Sequence, residues 1–191
     1  MEAWAEIERE ERMAALAARF AYADPPYVGQ ARRMYGADEV DYVALFVRLG
    51  GYDGWALSCT PGSLRTLLAL CPPGVRVAAW VKPFAFFHSG TRGRPPYAWE
   101  AVIFRTPRTD RRPKGVRDWL SCNAFGVTAA ERRRAGNVRG MKPEAFCFWL
   151  FALLGLRPGD VFDDLYPGSG AVMAAFEKWL LLDRHADSVR K

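Results

Sequence analysis

Short apolar runs of the kind that form strands alternate with segments of helical spacing along most of this chain of 191 residues. The strand-type runs are residues 20–23, 55–59, 75–81, 99–104, 160–164 and 179–183. The helical segments are residues 2–18, 38–49, 60–70, 142–156 and 171–178. Because strands that alternate with helices form a mostly parallel sheet covered on both faces, this order predicts an α/β fold. No repeat or linker divides the sequence, so we expect a single domain over residues 1–191.

The composition indicates a folded, reduced protein that works without a metal ion. Half of the residues are hydrophobic and 14% are aromatic, which is enough for a sizeable core. The two histidines, His88 and His185, are too few for a His-rich metal site and for most Ser-His-Asp hydrolases. The four cysteines form no CxxC pair, which is typical of buried thiols in a reducing compartment.

The sequence contains no segment typical of a membrane span or of a secretory leader. Its longest apolar run, residues 145–156, is shorter than the ~20 residues that cross a bilayer. Residues 1–20 carry glutamates throughout, unlike the apolar centre of a leader. We therefore expect a cytoplasmic or nucleoid-associated protein.

Positive charge is concentrated between residues 105 and 140. The whole chain carries a net charge of +6, whereas this segment holds ten basic and three acidic residues, a balance of +7. Such a block suits a polyanion such as nucleic acid, because each phosphate that it neutralises releases counterions. A solvated loop kept soluble by its charge is the other interpretation. The candidate substrate-binding residues of this segment are Arg111, Arg112, Lys114 and Arg117.

The sequence Asp24-Pro25-Pro26-Tyr27 directly follows the first strand-type run. Ligand crevices in open α/β sheets lie outside the carboxyl ends of the strands, so this carboxylate and this ring are well placed for chemistry. Asp24 and the Pro25 carbonyl could accept the N–H groups of an exocyclic amine and stabilise the positive charge that develops on it. Tyr27 could stack on the base that carries the amine. A turn whose prolines merely end a strand is the alternative.

A second motif, Gly168-Ser169-Gly170, lies between a predicted strand and a predicted helix. A turn of this kind lets a cofactor approach the backbone at a helix N-terminus. It fails as a dinucleotide fingerprint because Met173 occupies the third glycine position, which disfavours a nicotinamide cofactor. Asp183, which ends the next predicted strand, could bind ribose hydroxyls or simply cap a surface helix.

Together these motifs resemble the SAM-dependent amino-methyltransferases that act on nucleic-acid bases. Residues 22–27 look like the catalytic DPPY motif of that family. Lys142-Pro143-Glu144 and residues 157–170 look like its cofactor half. Because the catalytic motif comes first, the order is similar to the permuted order of the β-class DNA methyltransferases. The middle of the chain resembles the MT-A70 adenine N6-methyltransferases at Tyr35-Gly36, Trp80-Val81-Lys82 and Glu100.

The resemblance implies a fold and a division of the chain. The fold would be a single-domain Rossmann-like methyltransferase sheet flanked by helices, with a circularly permuted motif order. Residues 1–104 would form the catalytic half, residues 105–140 a basic target-recognition insert and residues 141–191 the SAM-binding half. The reaction would transfer the methyl group of SAM to the exocyclic N6 amine of adenine in DNA.

The resemblance also implies which residues do the work. The catalytic residues would be Asp24, Pro25, Pro26 and Tyr27. The cofactor residues would be Lys142, at the carboxylate of SAM, with Asp164, Gly168, Ser169, Gly170 and Asp183. The base pocket would be lined by Tyr35, Lys82 and Glu100. No metal ion is implied.

Other functions stay open on the sequence alone. Tyr166-Pro167 before the glycines, and the end of the chain eight residues after Asp183, fit a catalytically inactive nucleic-acid-binding subunit of a heteromeric complex. An N4-cytosine methyltransferase is a close chemical neighbour, and a small-molecule amine methyltransferase is less compatible with the basic segment. DNA is the expected partner ahead of RNA, and a homodimer or heterodimer is possible.

Overall fold

The structure is a computed structural model that describes residues 17–83, 97–108, 115–122 and 141–189. Its strands are β1 (Arg19–Ala23), β2 (Gly54–Cys59), β3 (Arg76–Val81), β4 (Trp99–Arg105), β5 (Trp119–Ser121) and β6 (Val161–Asp164). Its α-helices are α1 (Ala31–Tyr35), α2 (Tyr42–Gly50), α3 (Leu64–Leu68), α4 (Glu144–Leu154) and α5 (Ala171–Val189). A 3-10 turn at Pro61–Ser63 precedes α3. Residues 2–16 of the helix predicted at residues 2–18 lie outside the described residues, and residues 17 and 18 are not helical.

The strands form one six-stranded sheet in the order β5-β3-β4-β2-β1-β6. β1 lies between β2 and β6 and is parallel to both. β4 is antiparallel to β2 and to β3, and β3 is parallel to β5. Every strand except β4 therefore points the same way, which confirms the predicted α/β class with a mostly parallel sheet. The carboxyl ends of β1, β3 and β6 therefore lie on the same side of the molecule as the amino end of the antiparallel strand β4.

β1 is deeply buried after its first residue because both of its faces are covered. Residues 20–23 are each 0% exposed, as expected for a central parallel strand. Phe20 and Tyr22 belong to one core cluster, and Ala21 and Ala23 belong to the other. A Cβ at Gly54, the partner of Phe20 in β2, would lie 2.5 Å from the Phe20 ring. The close approach of β1 and β2 at this point therefore requires glycine.

Helices cover both faces of the sheet. α4 and α5 pack on one face around a group of aromatic rings, with the Phe151 and Phe162 centroids 5.2 Å apart. The core on the other face holds Leu45, Phe46 and Leu49 of α2 against Trp55 of β2. These two layers hold the ends of β1 and β6 fixed, because each strand is held from both sides.

The strand predicted at residues 179–183 is wrong, since α5 runs without interruption from Ala171 to Val189. Four apolar residues in a row fit a strand and a helix equally well, and no glycine or proline breaks the chain there. Packing decides for the helix: the Trp179 ring lies 5.9 Å from Phe151 and 6.4 Å from Phe176, centroid to centroid. Asp183 therefore lies on a helix and not at a strand end.

The helix predicted at residues 38–49 begins later and buries a different face. Asp41 caps α2 by accepting a hydrogen bond from the Ala44 amide at 3.0 Å, so the helix starts at Tyr42. The predicted apolar stripe contains Val43 and Val47, which are 60% and 75% exposed. The buried residues of α2 are Leu45, Phe46 and Leu49. The short elements α1 and β5 are not predicted by the sequence pattern.

Candidate active site

A cavity of about 430 Å³ opens at the edge of the sheet where β1 and β6 end. Tyr22, Asp24 and Pro26 line it from the end of β1, and residues 164–169 line it from the turn after β6. Met141 and Lys142, which precede α4, complete the wall between them. Cavities of ~300–1,000 Å³ are typical of small-molecule sites. The turn that carries Asp24 and the turn that carries Gly168 therefore share one crevice.

Four buried charges of alternating sign lie beside this cavity, and we call them the four-charge network. Lys142 Nζ lies 2.8 Å from Asp24 Oδ2 and 3.4 Å from Glu100 Oε2. Lys82 Nζ pairs with the other oxygen of Glu100. The four side chains are between 5% and 22% exposed. Two carboxylates and two ammonium groups thus balance one another in a site with little access to water.

Aromatic rings hold the two ammonium groups of the network. Lys82 Nζ lies 4.0 Å from the centroid of the Trp80 ring. Lys142 Nζ lies 5.5 Å from the same ring and 5.6 Å from the Phe146 ring. These distances allow cation–π attraction, which stabilises a cation where water is excluded.

Burial and pairing shift the ionisation of the network in different directions. Burial raises the pKa of Asp24 above its ordinary value, although Lys142 opposes the shift. Burial acts on Glu100 in the same direction, but Lys142 and Lys82 together hold its pKa below the ordinary value. Burial opposes the charge of Lys142, but Asp24 and Glu100 outweigh it and hold the pKa of its ammonium well above the ordinary value. Of the two acids in the network, Asp24 is therefore the one that takes up a proton more readily.

Lys142 occupies a different place from the one that the resemblance implies. It is expected at the carboxylate of SAM, and it does line the cavity. Its ammonium, however, is bound by Asp24 and Glu100, and its side chain is 5% exposed. In the structure Lys142 is the link between the candidate catalytic acid and Glu100.

Backbone and side-chain hydrogen bonds hold the turn that carries Asp24. The Tyr42 hydroxyl, at the start of α2, donates to the Pro26 carbonyl at 3.0 Å. The Gln30 amide donates to the Tyr27 carbonyl at 2.8 Å. The turn is thus closed by its own backbone and fixed against the start of α2.

The turn between β6 and α5 leaves one polar atom without a partner. Asp164 Oδ1 accepts a hydrogen bond from the Tyr166 amide at 3.2 Å. Asp164 Oδ2 is buried and has no hydrogen-bond partner among the described residues, and burial raises the pKa of this carboxyl. Gly168 and Gly170 have φ angles of +47° and +73°, a region that favours glycine. Asp164 and Gly168 both line the cavity, so the turn places a carboxyl group and a residue without a side chain at the cavity wall.

Several predicted site residues lie elsewhere. Arg117 is exposed and precedes β5. The first residue of β5 pairs with Ala79 of β3, so Arg117 lies on the other side of the sheet from β1 and Asp24. Asp183 lies twelve residues after the start of α5, about 18 Å along the helix axis. Tyr35 is the last residue of α1, and its side chain lies outside the described part of the structure, as do Arg111, Arg112 and Lys114. The crevice thus unites Asp24, Pro26, Lys142, Asp164, Gly168 and Ser169 from the prediction.

Sequence reasoning misses two tyrosines that shape the site. Tyr42 bonds to Pro26 from a helix start, where a tyrosine carries no sequence signal of its own. The sequence places Tyr22 in the DPPY-like stretch without assigning it a role. In the structure its buried hydroxyl shares a 2.7 Å hydrogen bond with Ser58 Oγ of β2. The alternation of side chains along β1 is the signal for Tyr22, since it faces the same side as Phe20.

Metal and membrane features are not found in the part of the chain that the structure describes. Over those residues no group of three or more histidine, cysteine or acidic side chains is placed to hold a metal ion. No helix of the described ranges combines the length and the apolar character needed to cross a bilayer.

The chain has the fold of M1.HpyAVI. The crystal structure of the M1.HpyAVI–SAM complex matches with a TM-score of 0.52 and 15% sequence identity, covering 91% of this chain and 84% of that one. A crystal structure of M1.HpyAVI alone matches with a TM-score of 0.52 and 14% identity, covering 92% and 83%. No protein-family model matches this chain, and no curated protein sequence is significantly similar to it. The likeness establishes a methyltransferase-like sheet flanked by helices, the predicted fold class.

Proposed function

We propose that this protein is a SAM-dependent methyltransferase that acts on the N6 amine of adenine in DNA. The observation that carries the proposal is the shared cavity, which is lined by Asp24 from the DPPY-like sequence and by Asp164 from the glycine turn. An acceptor amine and a methyl donor would then meet within one crevice. The fold supports the proposal, because M1.HpyAVI has a similar fold and its SAM complex is solved.

The residues after β6 suit SAM. Asp164 Oδ2 is buried without a partner among the described residues, and the cationic amino group of SAM is a donor that would satisfy it. Gly168 lines the cavity without a side chain, so a ligand can approach its backbone. Asp164, Gly168 and Ser169 would therefore hold the cofactor. When bound, SAM supplies a methyl group that is activated by its positively charged sulfur.

Asp24 would orient the acceptor amine. The lone pair of an exocyclic amine is delocalised into the base, and a carboxylate that accepts its N–H bonds draws the lone pair out of the ring. The bonds that Tyr42 and Gln30 make to the turn would keep Asp24 in place without rearrangement. Because the step is a direct displacement, alignment of the nitrogen with the methyl carbon is the main requirement.

The proton of the amine also needs an acceptor. As the nitrogen bonds to the methyl carbon, the carbon–sulfur bond breaks and its electron pair stays on sulfur. The methylated nitrogen then carries one proton in excess, and Asp24, which lines the cavity, would accept it. The raised pKa of Asp24 suits this role, since a more basic carboxylate takes a proton more readily. No covalent bond to the protein is needed.

The choice of adenine in DNA rests on the sequence. The permuted motif order is similar to that of DNA enzymes, and an aspartate rather than a serine opens the catalytic motif. The basic segment at residues 105–140 would contact the DNA phosphates, and Arg105 and Arg117 are exposed among its described residues. Its shortness favours modest sequence specificity or a second subunit that completes recognition. The proposed location is the cytoplasm or the nucleoid.

An inactive nucleic-acid-binding subunit is the second candidate, and the continuous helix α5 favours it. The resemblance implies a strand that ends at Asp183 and an acid that binds the ribose of SAM, but Asp183 lies within α5. Such a subunit would bind DNA with a steep dependence on salt and would give no heat of SAM binding in calorimetry.

Transfer of a labelled methyl group from SAM tests the proposed function directly. Duplex DNA, single-stranded DNA and RNA are offered separately, and the product nucleosides are separated by chromatography. We expect labelled N6-methyl-2′-deoxyadenosine from DNA, and its loss in Asp24→Ala while calorimetric SAM binding persists. Asp53→Ala is the matched control, because Asp53 is exposed and accepts a hydrogen bond from the Arg19 amide at the opposite end of β1 from Asp24. Label in cytosine, or in RNA alone, would contradict the proposed acceptor.

A further inference from the structure

Lys82 lies next to the candidate active site without lining its cavity. It directly follows β3, and its ammonium pairs with Glu100 Oε1 over the face of Trp80. Its side chain is 6% exposed. The resemblance implies that Lys82 binds substrate, but the groups that surround its ammonium belong to the protein.

The geometry of Glu100 explains what a second lysine does here. One oxygen of Glu100 pairs with Lys82, and the other lies 3.4 Å from Lys142. Lys142 in turn lies closer to Asp24, at 2.8 Å. Without Lys82, the two carboxylates would share one ammonium in a site where burial penalises unpaired charge. Glu100 would then compete with Asp24 for Lys142.

We propose that Lys82 is a positioning residue: by pairing with Glu100, it leaves the ammonium of Lys142 to Asp24. Lys82 thereby sets the charge state of the acid that would receive the acceptor amine. The inference rests on the proposed function for the role of Asp24, but the pairing itself is a property of the folded protein.

The groups around Asp24 support this assignment. They come from six parts of the fold and from the turn itself. The described charged and titratable groups that act on Asp24 or lie beside it are Tyr22, Tyr27, Tyr42, Lys82, Glu100, Lys142 and Asp164. Only two of these groups are cations, so removal of Lys82 leaves a single positive charge against the three carboxylates of Asp24, Glu100 and Asp164. Added negative charge makes Asp24 harder to ionise.

Lys82→Met tests the proposal, because methionine keeps the length and the apolar stem of the side chain while it removes the charge. The first readout is the titration of the Asp24 carboxyl carbon by NMR, assigned by its absence in Asp24→Asn. The second is the pH profile of kcat for methyl transfer. In Lys82→Met we expect the Asp24 midpoint to rise by about one pH unit or more. The acid limb of kcat should move in the same direction by the same amount.

Three further variants separate a charge effect from a structural one. Lys82→Met combined with Glu100→Gln leaves a balanced Asp24–Lys142 pair, so the Asp24 midpoint should return to or below its original value. Lys82→Arg should keep the original midpoint. Lys178→Met is the matched control, since Lys178 forms an exposed ion pair with Glu144, and it should leave the midpoint unchanged.

The outcomes are distinguishable. An unshifted Asp24 midpoint in folded Lys82→Met, or a double variant that stays shifted, would overturn the proposal. If Lys82→Met does not fold, the variant Glu100→Gln is measured in its place. Two lysines then face Asp24 as the one charged carboxylate of the network, so the titration midpoint of Asp24 should fall. A rise or no change in that midpoint would overturn the proposal. If the unaltered protein transfers no methyl group, the proposed function fails, whereas the NMR titration still decides the role of Lys82.

Discussion

Lys142 Nζ lies 2.8 Å from Asp24 Oδ2, an ion pair between two residues that are 118 positions apart in the sequence. Asp24 follows the first strand of the sheet, and Lys142 precedes the helix that leads into the last strand. The same ammonium also reaches Glu100 at the start of the antiparallel strand β4. Three separate segments thus converge on one buried cation. The stability and the chemistry of the site are coupled through it.

Lys142→Met should destabilise the protein strongly. Removal of one partner from a buried ion pair leaves unpaired charge, and such changes cost about 3–5 kcal/mol. The loss should shrink as the pH falls, because burial raises the folded-state pKa of Asp24 above its unfolded value and Lys142 no longer opposes that shift, so protonation of Asp24 restores stability. Urea unfolding between pH 5 and pH 8 measures both effects.

The control for that change is Lys178→Met, which removes an exposed lysine from its pair with Glu144. Exposed pairs contribute about 0–1 kcal/mol, so its free energy of unfolding should hardly change. Equal losses for the two variants would mean that the network beside the cavity does not hold the fold.

Tyr42→Phe should slow methyl transfer without weakening SAM binding. The change removes the hydrogen bond to the Pro26 carbonyl and leaves the ring in place. We expect kcat to fall several-fold because the Asp24 turn is less well fixed, and the free energy of unfolding to fall by about 1 kcal/mol. Steady-state kinetics and calorimetry measure the two effects.

Tyr52→Phe is the matched change at a distance from the turn. The Tyr52 hydroxyl donates to Asp163 Oδ2 at 2.8 Å, so a similar bond is lost. It should cost similar stability and leave kcat unchanged. A fall in kcat of equal size in both variants would show that general loosening, and not the turn, is responsible.

Asp164→Asn should weaken SAM binding by tenfold or more with little change in stability. The Oδ2 atom has no partner among the described residues, so loss of its charge removes no internal ion pair. Because burial raises the pKa of Asp164, SAM affinity in the unaltered protein should fall as the pH drops through that pKa. Calorimetric titration at several pH values measures this.

Asp163→Asn is the neighbouring control. Asp163 points away from the cavity, where it accepts from Tyr52 and lies 3.6 Å from Arg19. This variant should lose some stability and keep its SAM affinity. If Asp163→Asn weakens SAM binding as much as Asp164→Asn does, the acceptor role of Asp164 is wrong.

Gly170→Ala should destabilise the turn that precedes α5. Its φ of +73° lies in the region that costs other residues about 1–2 kcal/mol, although a Cβ there would meet no atom within 4 Å. Gly50→Ala is the comparison, because Gly50 ends α2 with an ordinary φ and equally open space. We expect thermal unfolding to show a loss for Gly170→Ala and a small gain for Gly50→Ala. Similar shifts in unfolding temperature for the two variants would show that the positive φ of Gly170 does not penalise a side chain.

The fold class follows from local patterns in the sequence. The apolar run at residues 20–23 ends at two prolines, which cannot continue a strand, so the place of Asp24 at a strand end is predictable. The turn at Gly168 is predictable for a related reason, since left-handed backbone favours glycine. These signals depend on a few adjacent residues and on nothing distant.

Local patterns fail where two structures share the same pattern. Trp179 and the three leucines after it suit a strand or a helix, and the contact of Trp179 with Phe151 decides the matter. The prediction of the buried face of α2 is wrong for a similar reason, because Val43 and Val47 fit the helical period but face outward. Burial of a helix face depends on the sheet beneath it.

Local sequence patterns are enough to show that strands and helices alternate, that a carboxylate follows the first strand and that a glycine turn precedes the last helix. The pairing of Lys142 with Asp24 and of Lys82 with Glu100 is visible only in the folded chain. Ion pairs between distant segments depend on strand order and register, which arise when the whole sheet assembles. Propensity is a property of neighbours in the chain, whereas the environment of a buried charge is a property of neighbours in space.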